Sequence, residues 1–254
     1  MSFSYNTYLK LDPLLSQQQP LSDEHDETLF VIIHQVYELW FKQILHELGF
    51  LQRNLEANQQ ATALHTLKRI LTILKTLVAQ VDILETMTPL SFASFRPRLE
   101  HASGFQSRQF RELEIVLGKR DLKMLQQQPP ESQAMLEARL QQPSLYTSFL
   151  RFLYARGLAV PTLLLEPTLE IRESPEVQQL LVEIYRSDPA TAELCERLID
   201  LDEGFGEWRY RHARMVERTI GTKPGTGGSS GSAYLRTTLF KPFFPDLWAI
   251  RICF

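Results

Sequence analysis

The chain has 254 residues, 44% of them hydrophobic and 22% charged, with a net charge of −3 and a pI near 6.1. That balance suits a globular chain able to bury roughly 70–75% of its unfolded surface, and it argues against a nucleic-acid partner, since domains that bind polyanions are usually basic. Its two cysteines, Cys195 and Cys253, lie far apart and can build neither a disulfide framework nor a cysteine-based zinc site.

In chain order, the segment from Met1 to Tyr8 has neither a basic n-region nor an apolar h-region, and no run of about 18 apolar residues follows anywhere, so a cytoplasmic protein without a membrane span is expected. From Ser22 to about Glu56 the residues Leu29, Phe30, Ile33, Val36, Trp40, Ile44, Leu48 and Leu51 recur at three- and four-residue steps. With Asp23, Glu24 and Asp26 in the first turn, where the helix dipole favours anions, the pattern predicts one helix of roughly 50 Å. A second helix is predicted from about Ala61 to Thr86, stopping at Thr88-Pro89. Shorter helical patterns follow near 91–98, 106–118, 131–141 and 144–157, then 175–186 and 189–220, the last opening after Ser187-Asp188-Pro189. Glutamine-rich stretches at Gln17–Gln19, Gln59–Gln60 and Gln126–Gln128 read as inter-helix loops. Period-two alternation, internal repeats and a disordered linker are all lacking, so the expectation is one all-α domain over residues 1–254.

Two features stand out against this helical background. Residues 225–231, Gly-Thr-Gly-Gly-Ser-Ser-Gly, cannot pack a core, and they follow the basic stretch Trp208–Arg218 with His212 at its centre. Such a tract is either a surface linker or a backbone that must approach something closely. His34 sits within the most apolar part of the first long helix, one turn after Phe30 and one before Glu38; it is either a core imidazole satisfied by a neighbour or a pocket group beside an aromatic wall.

Spacing tests the metal and nucleotide chemistries. The residues three before the six histidines are Ser22, Val31, Gln43, Thr62, Arg98 and Arg209, so the Glu-x-x-His pairs of a di-iron bundle are missing. His46-Glu47 does not continue to a second histidine, and the glycine tract lacks the Lys-Ser/Thr ending of a phosphate loop. A single-histidine site in an all-α chain points to haem, with His212 as candidate ligand, Arg209, Arg211, Arg214 and Arg218 as candidates to face propionates, and Trp208, Met215 and Ile220 as apolar surface; a solvated histidine in a basic helix is the plainer alternative.

Longer blocks carry a family resemblance. The segments His25-Asp26-Glu27-Thr28-Leu29-Phe30-Val31-Ile32-Ile33-His34-Gln35 with Glu38-Leu39-Trp40-Phe41-Lys42, Leu84-Glu85-Thr86-Met87-Thr88-Pro89-Leu90 running to Ala102-Ser103-Gly104-Phe105-Gln106-Ser107, and Trp208-Arg209-Tyr210-Arg211-His212 running through the glycine tract to Tyr234-Leu235 resemble the tryptophan 2,3-dioxygenase family. They occur in the family's order over most of the chain. The chain is short for the family at its amino end, between about 120 and 190, and after Phe254.

The resemblance implies a helical bundle enclosing a b-type haem, ferrous in the active state. It implies a homotetramer that inserts both atoms of O₂ across the indole C2–C3 bond of L-tryptophan to give N-formyl-L-kynurenine, the first step of tryptophan catabolism by the kynurenine pathway. By the same resemblance His212 is the axial iron ligand and His34 the distal histidine that meets the indole N–H. Phe30, Phe92 and Leu99 are pocket walls, Arg96 pairs with the substrate carboxylate, and Thr226 meets its ammonium from a mobile loop. Ser103 and Gly104 form a turn over the distal face. Tyr5 and Tyr8 belong to an arm, residues 1–20, that reaches a neighbouring subunit's pocket. Two other readings stay open at this level: a haem oxygenase of the same superfamily acting on a substituted tryptophan or related aromatic amino acid, and a non-catalytic haem or gas-sensing helical protein, against which the amino-acid clamp of Arg96 and Thr226 argues.

Overall fold

The structure, a computed structural model, describes residues 3–120, 125–126, 128–228 and 230–254. Met1 and Ser2 of the predicted arm, Gln127 of the third glutamine-rich stretch and Ser229 of the glycine tract lie outside the described residues.

Three long helices form the frame. α3 (His25–Glu56) and α4 (Gln60–Leu84) run as a helical hairpin, and α10 (Pro189–Ile220) packs along α4; α1 and α2 are one-turn helices of the arm, at Tyr5–Leu9 and Leu11–Leu15. Apolar residues at helical spacing explain the frame. Ile44, Leu48, Leu51 and Leu55 of α3 meet Leu67, Ile70, Leu74 and Leu77 of α4, and Leu194, Leu198, Leu201 and Phe205 of α10 close the same core. Every one of these is essentially solvent-free, which at about 1.5–3 kcal/mol per buried large side chain makes this cluster the main source of stability.

Helix boundaries depart from the predicted ones where a side chain intervenes. α3 starts at His25 and not at Ser22, because the buried Glu27 carboxylate accepts hydrogen bonds from the Leu21 N–H (2.8 Å) and the Ser22 hydroxyl, folding residues 20–22 back as a separate turn. The predicted helix near 91–98 is α5 (Pro89–Phe95), capped by Thr88, and it tightens into a 3₁₀ turn over Arg96–Leu99 at Pro97, which has no N–H to continue the α ladder. The remaining helices are α6 (Arg108–Val116), α7 (Pro130–Leu140), α8 (Leu145–Ala155), α9 (Pro175–Ser187), α11 (Ser232–Arg236) and α12 (Pro245–Ala249). No strand occurs among the described residues, as the all-α reading expects.

Two buried carboxylates fasten the last segment onto this frame. Asp202 of α10 accepts from the backbone N–H groups of Phe243 (2.9 Å) and Phe244 (3.3 Å) and from the indole of Trp248 (2.9 Å). Asp246 accepts from Tyr146 of α8, the Ser174 N–H (2.8 Å) and Gln178 (3.0 Å). A buried acceptor left without such donors would cost several kcal/mol, so these contacts set where residues 243–250 lie.

Candidate active site

Beyond the main core, the amino-terminal half of α3, the end of α4 and the carboxyl-terminal half of α10 diverge around a cavity of about 280 Å³. A small apolar cluster, Ile33, Val81, Leu84, Met87, Phe95 and Met215, forms its floor. Nine of the sequence-predicted residues line this one space: Phe30, His34, Phe92, Arg96, Leu99, Ser103, Gly104, His212 and Thr226. Tyr5 and Tyr8 do not. They sit on the arm, 75% and 67% exposed, and the helices that carry them bury no residue in this chain.

The two histidines come from α3 and α10 and line the same cavity, close enough for His34 to bear on the charge of His212. The Nδ1 of His34 lies 2.7 Å from the backbone carbonyl of Phe30. A carbonyl can only accept, so the proton is on Nδ1 and Nε2 is a bare acceptor. Burial holds the His34 pKa below the ordinary imidazole value against the pull of the Phe30 carbonyl and of Glu38 one turn away, so the ring is neutral at pH 7. His212 is driven down further, to about 4, first by burial and then by its proximity to His34. Its ring nitrogens have no hydrogen-bond partner among the described residues.

Aromatic rings wall the space beside His34. Phe30 packs on Phe92 at 5.7 Å and on Phe95 at 5.5 Å, and its ring centre is 4.2 Å from that of His34. The open side is covered by the glycine tract. Arg96 donates from Nη2 to the Pro224 carbonyl (2.5 Å), and the Thr226 hydroxyl donates to the Ala102 carbonyl (2.6 Å). Glycine is required where the tract comes closest. A Cβ at Gly227 would stand 2.6 Å from the Ser103 Cβ, and Gly231, at φ +61, would place one 2.6 Å from the Lys223 carbonyl oxygen. The tract is therefore a close-approach backbone and not a free linker.

The far end of the cavity carries charge that sequence reasoning missed. Arg111 and Glu114 of α6 are both buried and paired, with Lys119 on the second carboxylate oxygen at 3.1 Å. The Arg111 guanidinium lies over the rings of Phe105 (4.9 Å) and Phe110 (5.0 Å), while its Nε is buried with no partner. Arg209 joins them, held over the Phe243 ring at 4.5 Å. Of the four α10 arginines considered for propionates, only Arg209 lines the cavity. Arg211 pairs with Asp82 (2.5 Å) and Glu85, Arg218 with Glu85 (3.5 Å), and Arg214 with Glu217 (2.6 Å), all on the outer side of the helix. The spacing of acids on α4 was the one available signal, and it becomes readable only once α4 and α10 are known to be neighbours. Trp208, Met215 and Ile220 do line the cavity, as expected of apolar surface.

Fold and site thus define an all-α protein in which two neutral imidazoles from different helices share a largely apolar cavity with buried arginines. Comparison with known proteins agrees with that class. The family model described as tryptophan 2,3-dioxygenase matches residues 1–148 and 174–254. Proteins named tryptophan 2,3-dioxygenase from Anaeromyxobacter sp. (strain K) and Herpetosiphon aurantiacus are each 58% identical, covering 98% of this chain and 96% and 98% of their own lengths. One from Arthrobacter sp. (strain FB24) is 44% identical over 98% of this chain and 90% of its own length. The chain belongs to the tryptophan 2,3-dioxygenase family.

Proposed function

We propose that the chain is a haem-dependent dioxygenase that inserts both atoms of O₂ across the C2–C3 bond of L-tryptophan, giving N-formyl-L-kynurenine in the first step of the kynurenine pathway. Family membership supports the reaction, and the observation that carries it is the convergence of an amino-acid clamp, Arg96 and Thr226, with two imidazoles, His34 and His212, in a single cavity.

The residues present fit a b-type haem. His212 offers an unprotonated nitrogen without a competing hydrogen bond, and the slot between it and His34 is apolar. Arg111 and Arg209 at the far end suit two carboxylates, the unpartnered Arg111 Nε in particular being a buried donor that lacks an acceptor. His212 would hold the iron and these arginines the propionates; bound there in the ferrous state, the haem supplies the redox chemistry with O₂.

The chain's own residues then select and fix the substrate. The indole lies against Phe30, Phe92 and Leu99, each ring contact contributing about 0.5–1.5 kcal/mol beyond area burial. Its N–H donates to the bare Nε2 of His34, which acts by positioning the ring. The Arg96 fork takes the carboxylate through charge-assisted hydrogen bonds. Thr226, whose hydroxyl proton is used toward Ala102, keeps oxygen lone pairs free to accept from the ammonium. The tract 225–231, resting on the turn of Ser103 and Gly104, excludes water from the bound state.

The family resemblance makes the assembly a homotetramer, and the exposed aromatics Phe3, Tyr5 and Tyr8, on helices that bury nothing in their own chain, support an arm over residues 1–20 that reaches a neighbour's pocket. No helix among the described residues is long and apolar enough to cross a membrane, in keeping with action in the cytoplasm. The deciding experiment supplies purified protein with hemin, reductant, O₂ and L-tryptophan. The expected result is a product with the mass of tryptophan plus two oxygen atoms and the absorbance of N-formylkynurenine; haem-loaded protein that leaves tryptophan unchanged would overturn the proposal.

A further inference from the structure

A histidine that holds a metal nearly always donates its other ring N–H to a carboxylate or carbonyl, and that bond fixes the ring's plane. His212 has no such partner among the described residues, yet its ring is not free. One helical turn earlier on α10, the indole of Trp208 lies parallel to it, with ring centroids 5.1 Å apart and planes within 5°. Trp208 is only 8% exposed and is itself locked. Phe110 of α6 lies 5.1 Å away, Phe41 of α3 stands nearly perpendicular (89°) at 6.1 Å, and Tyr37 meets its edge at 6.3 Å. Tyr37 in turn is pinned by donating to the Leu77 carbonyl of α4 at 2.9 Å. The Trp208 indole N–H lies near the Tyr37 hydroxyl but falls short of hydrogen-bonding geometry, so packing alone holds the ring.

We infer that Trp208 is a positioning residue for His212, fixing the plane of the imidazole by stacking where a hydrogen bond would ordinarily do so. The four-ring cluster spans α3, α6 and α10, and Tyr37 is three residues from His34 on the same helix. The orientation of the His212 ring is therefore indexed to α3, the helix that carries His34. No described residue accepts a hydrogen bond from the second ring nitrogen of His212, so the stack is the protein contact left to fix its plane.

The inference rests on His212 being the axial ligand. Wild-type protein that took up no hemin would fail that reading, whereas the variants below are compared only as haem-loaded proteins. Trp208→Phe keeps a flat ring, and Trp208→Met keeps apolar volume without one. Two quantities are read on each: the iron–imidazole stretching line of the ferrous protein by resonance Raman, and the rate of hemin transfer to an excess of a haem-scavenging globin. Loss of the stack is expected to broaden and shift the line and to speed hemin release about three- to tenfold in Trp208→Met, with Trp208→Phe restoring both to within about twofold. A core-packing role alone would lower the melting temperature and leave the line where it is. If Trp208→Met does not fold, Trp208→Leu takes its place. A wild-type line and release rate in the variant without a ring, or equal damage from the phenylalanine variant, overturns the inference.

Discussion

The two halves of α3 are built to opposite rules. From Phe41 to Leu55 most of its buried residues are large, aliphatic or aromatic and almost wholly solvent-free, filling space against α4, α6 or α8, with Glu47, Gln52 and Asn54 as the buried polar exceptions. From Leu29 to Glu38 the same helix presents rings that enclose a space without filling it, including an imidazole whose one donor is tied to its own backbone. α10 divides in the same way, with Leu194 to Phe205 in the core and Trp208 to Ile220 around the cavity. The lesson is that rigidity for the site is imported along the helix axis. One end packs to native density so that the other can hold polar groups apart without collapsing.

Substitutions can break this division one end at a time. The largest effect is expected from His212→Ala, which should abolish stable hemin uptake and all activity while leaving far-ultraviolet circular dichroism intact; a normal Soret band in that variant would refute its role as ligand. Leu48→Ala, in the packed half of α3, should cost about 3 kcal/mol in denaturant unfolding by leaving a cavity, with the KM for tryptophan unmoved in the folded protein. Arg96→Ala should do the reverse, raising KM about ten- to a hundredfold with little change in melting temperature, since two charge-assisted hydrogen bonds are lost. An unchanged KM would remove Arg96 from the clamp. Thr226→Ala should raise KM only about two- to tenfold, and indole propionate, which lacks the ammonium, should bind the variant and wild type alike.

The smallest effect sharpens the scaffold side of the comparison. The Thr191 hydroxyl and backbone N–H hold the Asp188 carboxyl, the cap of α10, below its ordinary value of 3.8. Its contribution to stability is therefore complete above that pH and is lost as pH falls through the depressed folded-state value. The melting temperature of wild type should drop more than that of Asp188→Asn between pH 5 and pH 3. Parallel curves would show that the cap charge contributes nothing.

Much of this was legible in the sequence because it is local. Apolar spacing located α3, α4 and α10, and the Ser187-Asp188-Pro189 start of α10 is a cap whose donors are three residues away. The resemblance blocks placed nine residues that do converge on one cavity. What could not be read depends on partners distant in sequence. Asp202 receives N–H groups some forty residues on, and Arg211 and Arg218 turn outward because α4 happens to present Asp82 and Glu85. The one-turn helices α1, α2, α11 and α12 are too short to show a period at all. The late start of α3 was hidden for the same reason, since Ser22 is as good a cap by type as any, and only the folded turn shows Glu27 claiming it.

The contacts that Arg96 and Thr226 make with the Pro224 and Ala102 carbonyls have a thermodynamic consequence for turnover. Neither group waits bare in the resting protein: in the proposed complex an arriving carboxylate displaces the Pro224 carbonyl from Arg96 and gains only the difference between the two, while Thr226 keeps its bond to Ala102 and accepts from the ammonium. Net affinity is thereby kept modest however well the clamp fits. The departing product leaves the Pro224 carbonyl ready to reclaim Arg96, and release need not leave a stranded cation behind.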